Sequence, residues 1–160
     1  MTTTKRRRER QEWNPDLGVL ASQLTFSLQD ELFTRLASEG YDDLNPRHWT
    51  VLAYLDEDGI RATELARLSG RHKQIVGRLV DELEELGYVE RQPDPADRRA
   101  KLIVPTEHGL GQLRRGDEIV AEIEARHAAA IGGGNYATFR DALRGVVARA
   151  REPVAQADRD

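Results

Sequence analysis

The chain has 160 residues, with 24 basic and 28 acidic side chains and a formal net charge of −4. It contains no cysteine, which excludes disulfides, thiolate metal sites and cysteine-based catalysis or redox sensing. No apolar run approaches the roughly 18 residues that span a bilayer, and the N-terminus lacks the apolar core of a secretory signal. We therefore expect a soluble, cytoplasmic protein that forms a single domain and does not contact a membrane.

The small net charge hides a segregation of charge along the chain. The basic segments are residues 1–12, 61–80 and 91–101, with net charges of +3, +4 and +2, and the remainder sums to −13. Because the local field governs the encounter with a polyanion, the total does not argue against a nucleic-acid partner.

The N-terminal part of the sequence predicts a flexible basic arm over residues 1–12, followed by a helix over residues 17–36. Two apolar stripes run along this helix. They are Leu17, Leu20, Leu24 and Leu28 on one side and Val19, Phe26 and Phe33 on the other. A helix with two stripes is buried on both sides, so one side is expected to face a second copy of the chain.

The central segment predicts three helices in quick succession. Asn45-Pro46 caps and starts the first, which ends at Asp58-Gly59 and has Trp49, Leu52, Ala53 and Leu55 on its apolar face. The others are expected over 63–69 and 72–86. A small residue, Ala66, precedes Gly70 by four positions, which is the spacing of a helix-turn-helix.

A β-hairpin is predicted next, with strands over 88–91 and 101–104 and a charged tip over 93–99. A helix capped by Thr106 should then reach Ala130, although three glycines weaken its first half. Residues 132–134 predict a break, Asn135 can cap a last helix, and Pro153 should stop it. A helix-turn-helix followed by a charged hairpin is a winged helix.

The residues opposite the apolar arc of the 72–86 helix suit DNA. Glutamine can read adenine and arginine can read guanine in the major groove, while a glycine permits close approach of the backbone. The candidates are Arg71, Lys73, Gln74, Gly77 and Arg78. At the hairpin tip, Arg98 and Arg99 can reach a minor groove, and Asp97 can orient a guanidinium by a bidentate pair.

The stretch ATELARLSGRHKQIVGRLVDELEELGYVERQPDPADRRAKLIVPTEHG resembles the winged-helix core of MarR-family transcriptional regulators, and the resemblance extends over roughly residues 15–150. It implies a mainly α (α+β) fold and a homodimer with intertwined terminal helices. The family wing assigns the minor-groove contact to Arg99 and a phosphate contact to Arg98. Two departures are Pro105, where the family commonly has Leu, and Gly77, where it commonly has a hydroxyl residue.

On this basis residues 13–152 form one MarR-like domain, followed by a frayed tail over 153–160. Within it, the winged core is expected over about 45–106. The dimerisation helices are expected over about 15–39 and 107–151.

The resemblance also implies a cleft for a small aromatic ligand between the dimer helices and the winged core. The candidate contacts are Trp13, His48, Trp49 and Tyr54. The four histidines show no metal-ligand spacing, and neither a Gly-rich phosphate loop nor a nucleophile elbow is present. We therefore expect neither an enzyme nor a cofactor.

These features predict a homodimeric, sequence-specific regulator, acting as a repressor, that binds a pseudo-palindromic site in double-stranded DNA. A ligand would release it by changing the spacing or angle of the two winged cores. The alternative is a winged-helix module that binds another protein and no DNA.

Overall fold

The computed structural model describes residues 8, 12–97 and 99–151 of the chain. Its elements are α1 (Leu17–Ser38), a 3₁₀ helix (Pro46–His48), α2 (Trp49–Leu52), β1 (Ile60–Arg61), α3 (Ala62–Ser69), α4 (Lys73–Glu85), β2 (Val89–Pro93), β3 (Lys101–Pro105), α5 (Glu107–Ile131) and α6 (Gly133–Ala150). The predicted winged helix-turn-helix with flanking helices is confirmed. The chain forms two compact units, Met1–Val120 and Ala121–Asp160.

The first unit is built around a core that the helices and the sheet share. Its fully buried side chains come from α1, α2, α3, α4, β2, β3 and α5, and they include Leu36, Val51, Leu65, Val80, Val89, Ile103 and Ile119. The sheet has the order β1-β3-β2 with antiparallel pairing throughout. Burial of these apolar side chains is the main contribution to the stability of this unit.

Strand β1 was absent from the sequence prediction. It has only two residues, Ile60 and Arg61, which pair with Ile103 and Leu102 of β3. A two-residue strand leaves no alternating pattern to detect, because its existence depends on a partner more than forty positions later in the chain.

The prediction of a helix from Asn45 to Asp58 is wrong for the second half of that segment. After the 3₁₀ helix, α2 ends at Leu52, and Ala53 is exposed rather than on the apolar face. The Tyr54 N–H donates to the Val51 carbonyl at 3.1 Å, which tightens the last turn. The segment after α2 then leads to β1, which pairs with β3 at the edge of the sheet.

Helices α5 and α6 also differ from the prediction in detail. Gly132, with φ +88°, occupies the N-cap of α6, while Asn135 lies inside the helix and donates to the Ile131 carbonyl at 2.7 Å. The glycines do not interrupt α5. A Cβ at Gly109 would lie 2.0 Å from the Tyr88 carbonyl oxygen, so the close approach of α5 to the start of β2 requires glycine there.

The second unit contains the end of α5 and all of α6. Arg140 and Glu124 pair at 2.9 Å, and Tyr136 and Phe139 stack with ring centroids 6.2 Å apart. Pro153, the expected stop, lies outside the described residues. None of the described helices combines the length and the apolar character needed to cross a membrane.

Candidate nucleic-acid interface

The turn between α3 and α4 fixes the angle of the helix that carries the predicted reading residues. Helix α3 ends at Gly70, which adopts a left-handed conformation with φ +66°. The Arg71 N–H then donates to the Ala66 carbonyl at 3.2 Å, and His72 has the extended backbone of an N-cap for α4. Any other residue at position 70 would be strained, because a Cβ disfavours this conformation.

One side of α4 faces the core and the other faces solvent. Val76, Leu79, Val80 and Leu83 are buried, as the helical period predicts. Ile75 also belongs to the apolar arc, but it lies at its edge and is 40% exposed. The outward side carries the exposed side chains of Arg71, Lys73, Gln74 and Arg78.

Gly77 lies on the same outward side of α4. A Cβ built at this position meets no atom within 4 Å, so packing of the protein does not require glycine here. The absent side chain leaves open space beside the helix backbone at this position.

The basic side chains in this region are not neutralised by the protein. Elsewhere most arginines are held in ion pairs, as Arg67 is by Glu64 and Arg115 by Glu39. In the described part of the chain, five basic side chains between positions 71 and 101 have no ion-pair partner: Arg71, Lys73, Arg78, Arg99 and Lys101. Their charge remains available for phosphate groups.

The acidic second half of α4 is neutralised from β2. Arg91 contacts Asp81 at 2.5 Å and also pairs with Glu84. Partial desolvation lowers the pKa of the Arg91 guanidinium, but the two carboxylates outweigh this effect and raise that pKa above its ordinary value. The carboxylates of α4 that would repel DNA are thus partly compensated by a strand of the hairpin.

The hairpin, or wing, is organised by Asp94, a residue that the sequence analysis did not select. Asp94 is 5% exposed and accepts hydrogen bonds from the Ala96 N–H at 2.7 Å and from Arg61 Nε at 2.6 Å. The Ala96 amide and the Arg61 guanidinium hold the pKa of this carboxyl below its ordinary value. The sequence signal was the Asx turn of Asp94-Pro95-Ala96, in which the aspartate accepts from the amide two residues later.

Asp97 positions the wing tip through the backbone. Its Oδ1 accepts the Arg99 N–H at 3.0 Å, and its carbonyl accepts the Ala100 N–H at 2.8 Å. The expected pairing with a guanidinium is not observed for Arg99, whose side chain extends into solvent without a partner in the described residues. Arg98 lies outside the described residues.

Two of the four predicted ligand contacts line a common cleft. Trp49 and Tyr54 border a cavity of about 740 Å³ between α1, α2 and α4, together with Arg47, Arg71 and Arg78. Trp13 does not line it and is 89% exposed. We call this cavity the cationic cleft, because three of its side chains are arginines and one, Glu82, is acidic.

His48 is a buried structural residue rather than a wall of the cationic cleft. Its Nδ1 accepts the Asn45 N–H at 3.3 Å, which completes a capping box, and its Nε2 lies 3.3 Å from Glu82 Oε2. Burial is the main cause that lowers the pKa of the His48 imidazole. His48 therefore connects the start of α2 to α4.

Comparisons with known proteins agree with this architecture. The model of the MarR family matches residues 42–100. The uncharacterized HTH-type transcriptional regulator YcgE of Bacillus subtilis (strain 168) is 48% identical over 52 residues, which are 32% of this chain and 34% of that protein. The match thus spans about a third of the length of this curated relative.

Solved structures extend the similarity to nearly the whole chain. CouR from Rhodococcus jostii RHA1, bound to p-coumaroyl-CoA, has a TM-score of 0.68 and 28% identity, covering 89% of this chain and 96% of that one. The transcriptional repressor CouR bound to a 23-mer DNA duplex has a TM-score of 0.65 and 27% identity, covering 88% and 96%. Together with the helix pair and wing described above, these matches show that the chain is similar to winged helix-turn-helix proteins of the MarR family.

Proposed function

We propose that the protein is a sequence-specific regulator, a repressor in the cytoplasm, that binds double-stranded DNA as a homodimer. The observation that carries the proposal is the group of uncompensated cations on α4 and the wing, set beside an outward Gln74. In this arrangement α4 enters the major groove and Arg99 enters a flanking minor groove. A solved structure of the similar repressor CouR has it bound to a 23-mer DNA duplex, which supports DNA as the partner of this protein.

The dimer is supported by apolar side chains that the single chain leaves uncovered. On α1, the residues Leu17, Leu20, Leu24 and Phe26 are exposed, the last by 71%. On α6 the exposed apolar side chains are Phe139, Val146 and Val147. Several exposed large apolar side chains on one helix mark a protein interface, and a second copy would cover them.

The DNA proposal is tested by fluorescence anisotropy with the duplex upstream of the protein's own gene. We expect saturable binding that weakens steeply between 50 and 200 mM salt, on the order of 100-fold or more, because cations on DNA release counterions. A scrambled duplex of equal composition should bind more weakly. Absence of binding to this duplex and to a pool of genomic fragments would instead favour the protein-binding module.

The cationic cleft supports an anionic ligand that competes with DNA. Arg71 and Arg78 line the cleft and also belong to the outward cations proposed to contact DNA, so an anion in the cleft and the phosphates of DNA would compete for the same side chains. CouR, a structural relative, binds p-coumaroyl-CoA, which makes this thioester a suitable first probe. The expected result is that the thioester releases the labelled duplex at lower concentration than coenzyme A alone, and that Trp49→Phe reduces this difference.

A further inference from the structure

Lysine is rare in this chain, and the lysines that the structure describes lie on the surface proposed to contact DNA. Of the 24 lysine and arginine side chains, only Lys5, Lys73 and Lys101 are lysines. Lys73 is the first residue of α4, and Lys101 is the first residue of β3, just after the wing tip. Lys5 lies outside the described residues. Both described lysine amines therefore belong to the elements that are proposed to contact DNA.

These two lysines are exposed, and their neighbours in the helix and the sheet carry no charge that could neutralise them. The positions one turn after Lys73 hold Val76 and Gly77 instead of a carboxylate. Lys101 is paired across the sheet with Pro93. The ion pairs among the described residues are made by arginine or histidine. A chemical change at either lysine would thus alter the outer charge without breaking an internal ion pair.

A lysine amine offers chemistry that an arginine guanidinium does not. The guanidinium keeps its proton throughout the physiological pH range, whereas the ammonium group of a lysine can lose a proton and become a nucleophile. Acylation of the amine removes one positive charge, and cations that contact phosphates govern the affinity for DNA. An acyl donor would therefore change the charge of this chain at few positions, and these include both lysine amines on the proposed DNA surface.

Each of these lysines follows an unpaired arginine by two positions in the chain. Arg71 precedes Lys73 and Arg99 precedes Lys101, and both arginines are exposed and have no ion-pair partner among the described residues. The field of neighbouring cations raises the local concentration of anions. An acyl donor that is itself an anion, such as an acyl phosphate, is therefore concentrated beside the two amines.

We propose that Lys73 and Lys101 are acylation sites, and that their modification by an acyl phosphate weakens DNA binding; this inference rests on the proposed function. The ammonium group first releases a proton to solvent, and the neutral Nζ then attacks the carbonyl carbon of the donor. A C–N bond forms as the C–O bond to phosphate breaks. Inorganic phosphate leaves with the electron pair of the broken bond and takes up a second proton from the nitrogen, so the product is a neutral amide.

The test treats the full chain with acetyl phosphate and measures two quantities. Peptide mass spectrometry gives the acetylated fraction at each lysine, and fluorescence anisotropy with the duplex upstream of the protein's own gene gives the affinity. We expect Lys73 and Lys101 to be acetylated and the affinity at moderate salt to fall on the order of ten-fold, because two phosphate contacts are lost. Full acetylation of both without a change in affinity would overturn the proposal. The same holds if both stay unmodified in a chain that is acetylated at Lys5.

Variants that keep the positive charge but lack the amine identify the lysines responsible. In the double variant Lys73→Arg and Lys101→Arg, treatment should leave the affinity at the variant's own untreated value, because a guanidinium keeps its proton and is not acetylated. The matched variant Lys5→Arg should lose affinity on treatment by the same factor as the parent protein. An equal loss in the double variant would assign the effect to another group and refute the proposal.

A neighbouring arginine tests why an anionic donor is favoured. Arg71→Gln should slow acetylation of Lys73 by acetyl phosphate about two- to three-fold and leave Lys101 unaffected, because one nearby positive charge is removed. The neutral donor N-acetoxysuccinimide should show no such difference, and an unchanged rate at Lys73 with acetyl phosphate would contradict the attraction of an anionic donor.

The mass spectra separate a failure of this inference from a failure of the proposed function, since they do not depend on DNA. If the untreated chain binds no duplex, the proposed function is wrong and the regulatory part of the inference falls with it. The acetylated fractions by themselves confirm or refute the two sites.

Discussion

At the residue scale, the cations on the outward side of α4 and on the wing lie close together in the fold and have no ion-pair partner among the described residues. Arg99 shows this most clearly, since Asp97 holds its backbone amide and leaves its guanidinium outside. Because this hydrogen bond fixes the backbone of Arg99, less conformational entropy is lost when its guanidinium binds a partner.

Arg99→Ala should weaken DNA binding roughly ten-fold, because the minor groove concentrates negative potential around an inserted arginine. Anisotropy titrations at moderate salt measure the change. Arg149→Ala is the matched control, since Arg149 is also exposed and without an ion pair among the described residues but lies on α6. Equal affinities for Arg99→Ala and the parent protein would remove the minor-groove role.

Gln74→Ala should change which bases are preferred more than it changes the salt dependence of binding. The amide of Gln74 reads a base edge but carries no charge, whereas Lys73→Ala should reduce the salt slope by about one unit without altering preference. Selection of bound sequences from a randomised duplex pool checks both variants. An unaltered preference in Gln74→Ala would place this side chain outside the base contacts.

His48 gives the fold a defined pH dependence. Because burial lowers the folded-state pKa of His48 below its unfolded value of about 6.5, the unfolded chain binds more protons between those two pKa values. The contribution of His48 to the free energy of unfolding therefore falls as the pH drops through this window. Urea melts at several pH values should show a shallower decline for His48→Asn, and an unchanged decline would contradict the assignment.

At the element scale, the wing depends on a link to the opposite edge of the sheet. Arg61 belongs to β1, Asp94 follows β2, and β3 lies between the two strands. The Arg61–Asp94 ion pair thus links the two outer strands across the central strand, and Arg91 links β2 to α4.

Asp94→Asn should lower the melting temperature by a few degrees and weaken DNA binding, because it loses the ion pair to Arg61 while keeping its size. The folded-state pKa of Asp94 lies below the unfolded value, so this stabilisation is present above the unfolded pKa and is lost as the pH falls through the folded pKa. Thermal melts at neutral pH and under acid conditions test this. Parent and variant should converge in acid, and a constant difference would refute the linkage.

Asp97→Asn serves as the comparison for the wing. The Asp97 carboxylate accepts a hydrogen bond from one backbone N–H at the exposed tip, and the side-chain oxygen of an asparagine can accept the same bond. The melting temperature of Asp97→Asn should therefore be close to that of the parent protein. A decrease in melting temperature as large as that of Asp94→Asn would argue against Asp94 as the residue that organises the wing.

At the scale of the whole molecule, the single chain leaves the first half of α1 without a core. From Leu20 to Ser27 every side chain is exposed, including Leu20 and Leu24 of one predicted stripe and Phe26 of the other, whereas Phe33 of the second stripe is buried. A helix with this composition is stabilised when a second chain buries it.

The double change Leu20→Glu and Leu24→Glu should convert a dimer at micromolar concentration into a monomer, because both charges fall on one stripe. Light scattering coupled to gel filtration measures the mass. Gln23→Glu adds one charge between the stripes and should leave the dimer intact. A monomeric parent protein would contradict the dimer outright.

Much of the winged core could be predicted from local sequence. The bounds of α3 and α4 were anticipated to within one residue, because Gly70 and the apolar period of α4 are local signals. The truncated α2 and the two-residue β1 could not be anticipated, since both depend on pairing with β3. For the same reason Asp94 was missed, because its partner Arg61 lies 33 positions earlier.

Residue type and short-range spacing are enough to predict the helix-turn-helix, the charged hairpin, the segregation of charge and the exclusion of cysteine chemistry. The fold is needed to show which cations remain unpaired among the described residues and that the approach of α5 to the Tyr88 carbonyl requires Gly109. Each of these depends on contacts between distant segments, whose geometry is set by how the elements pack and not by their local sequence.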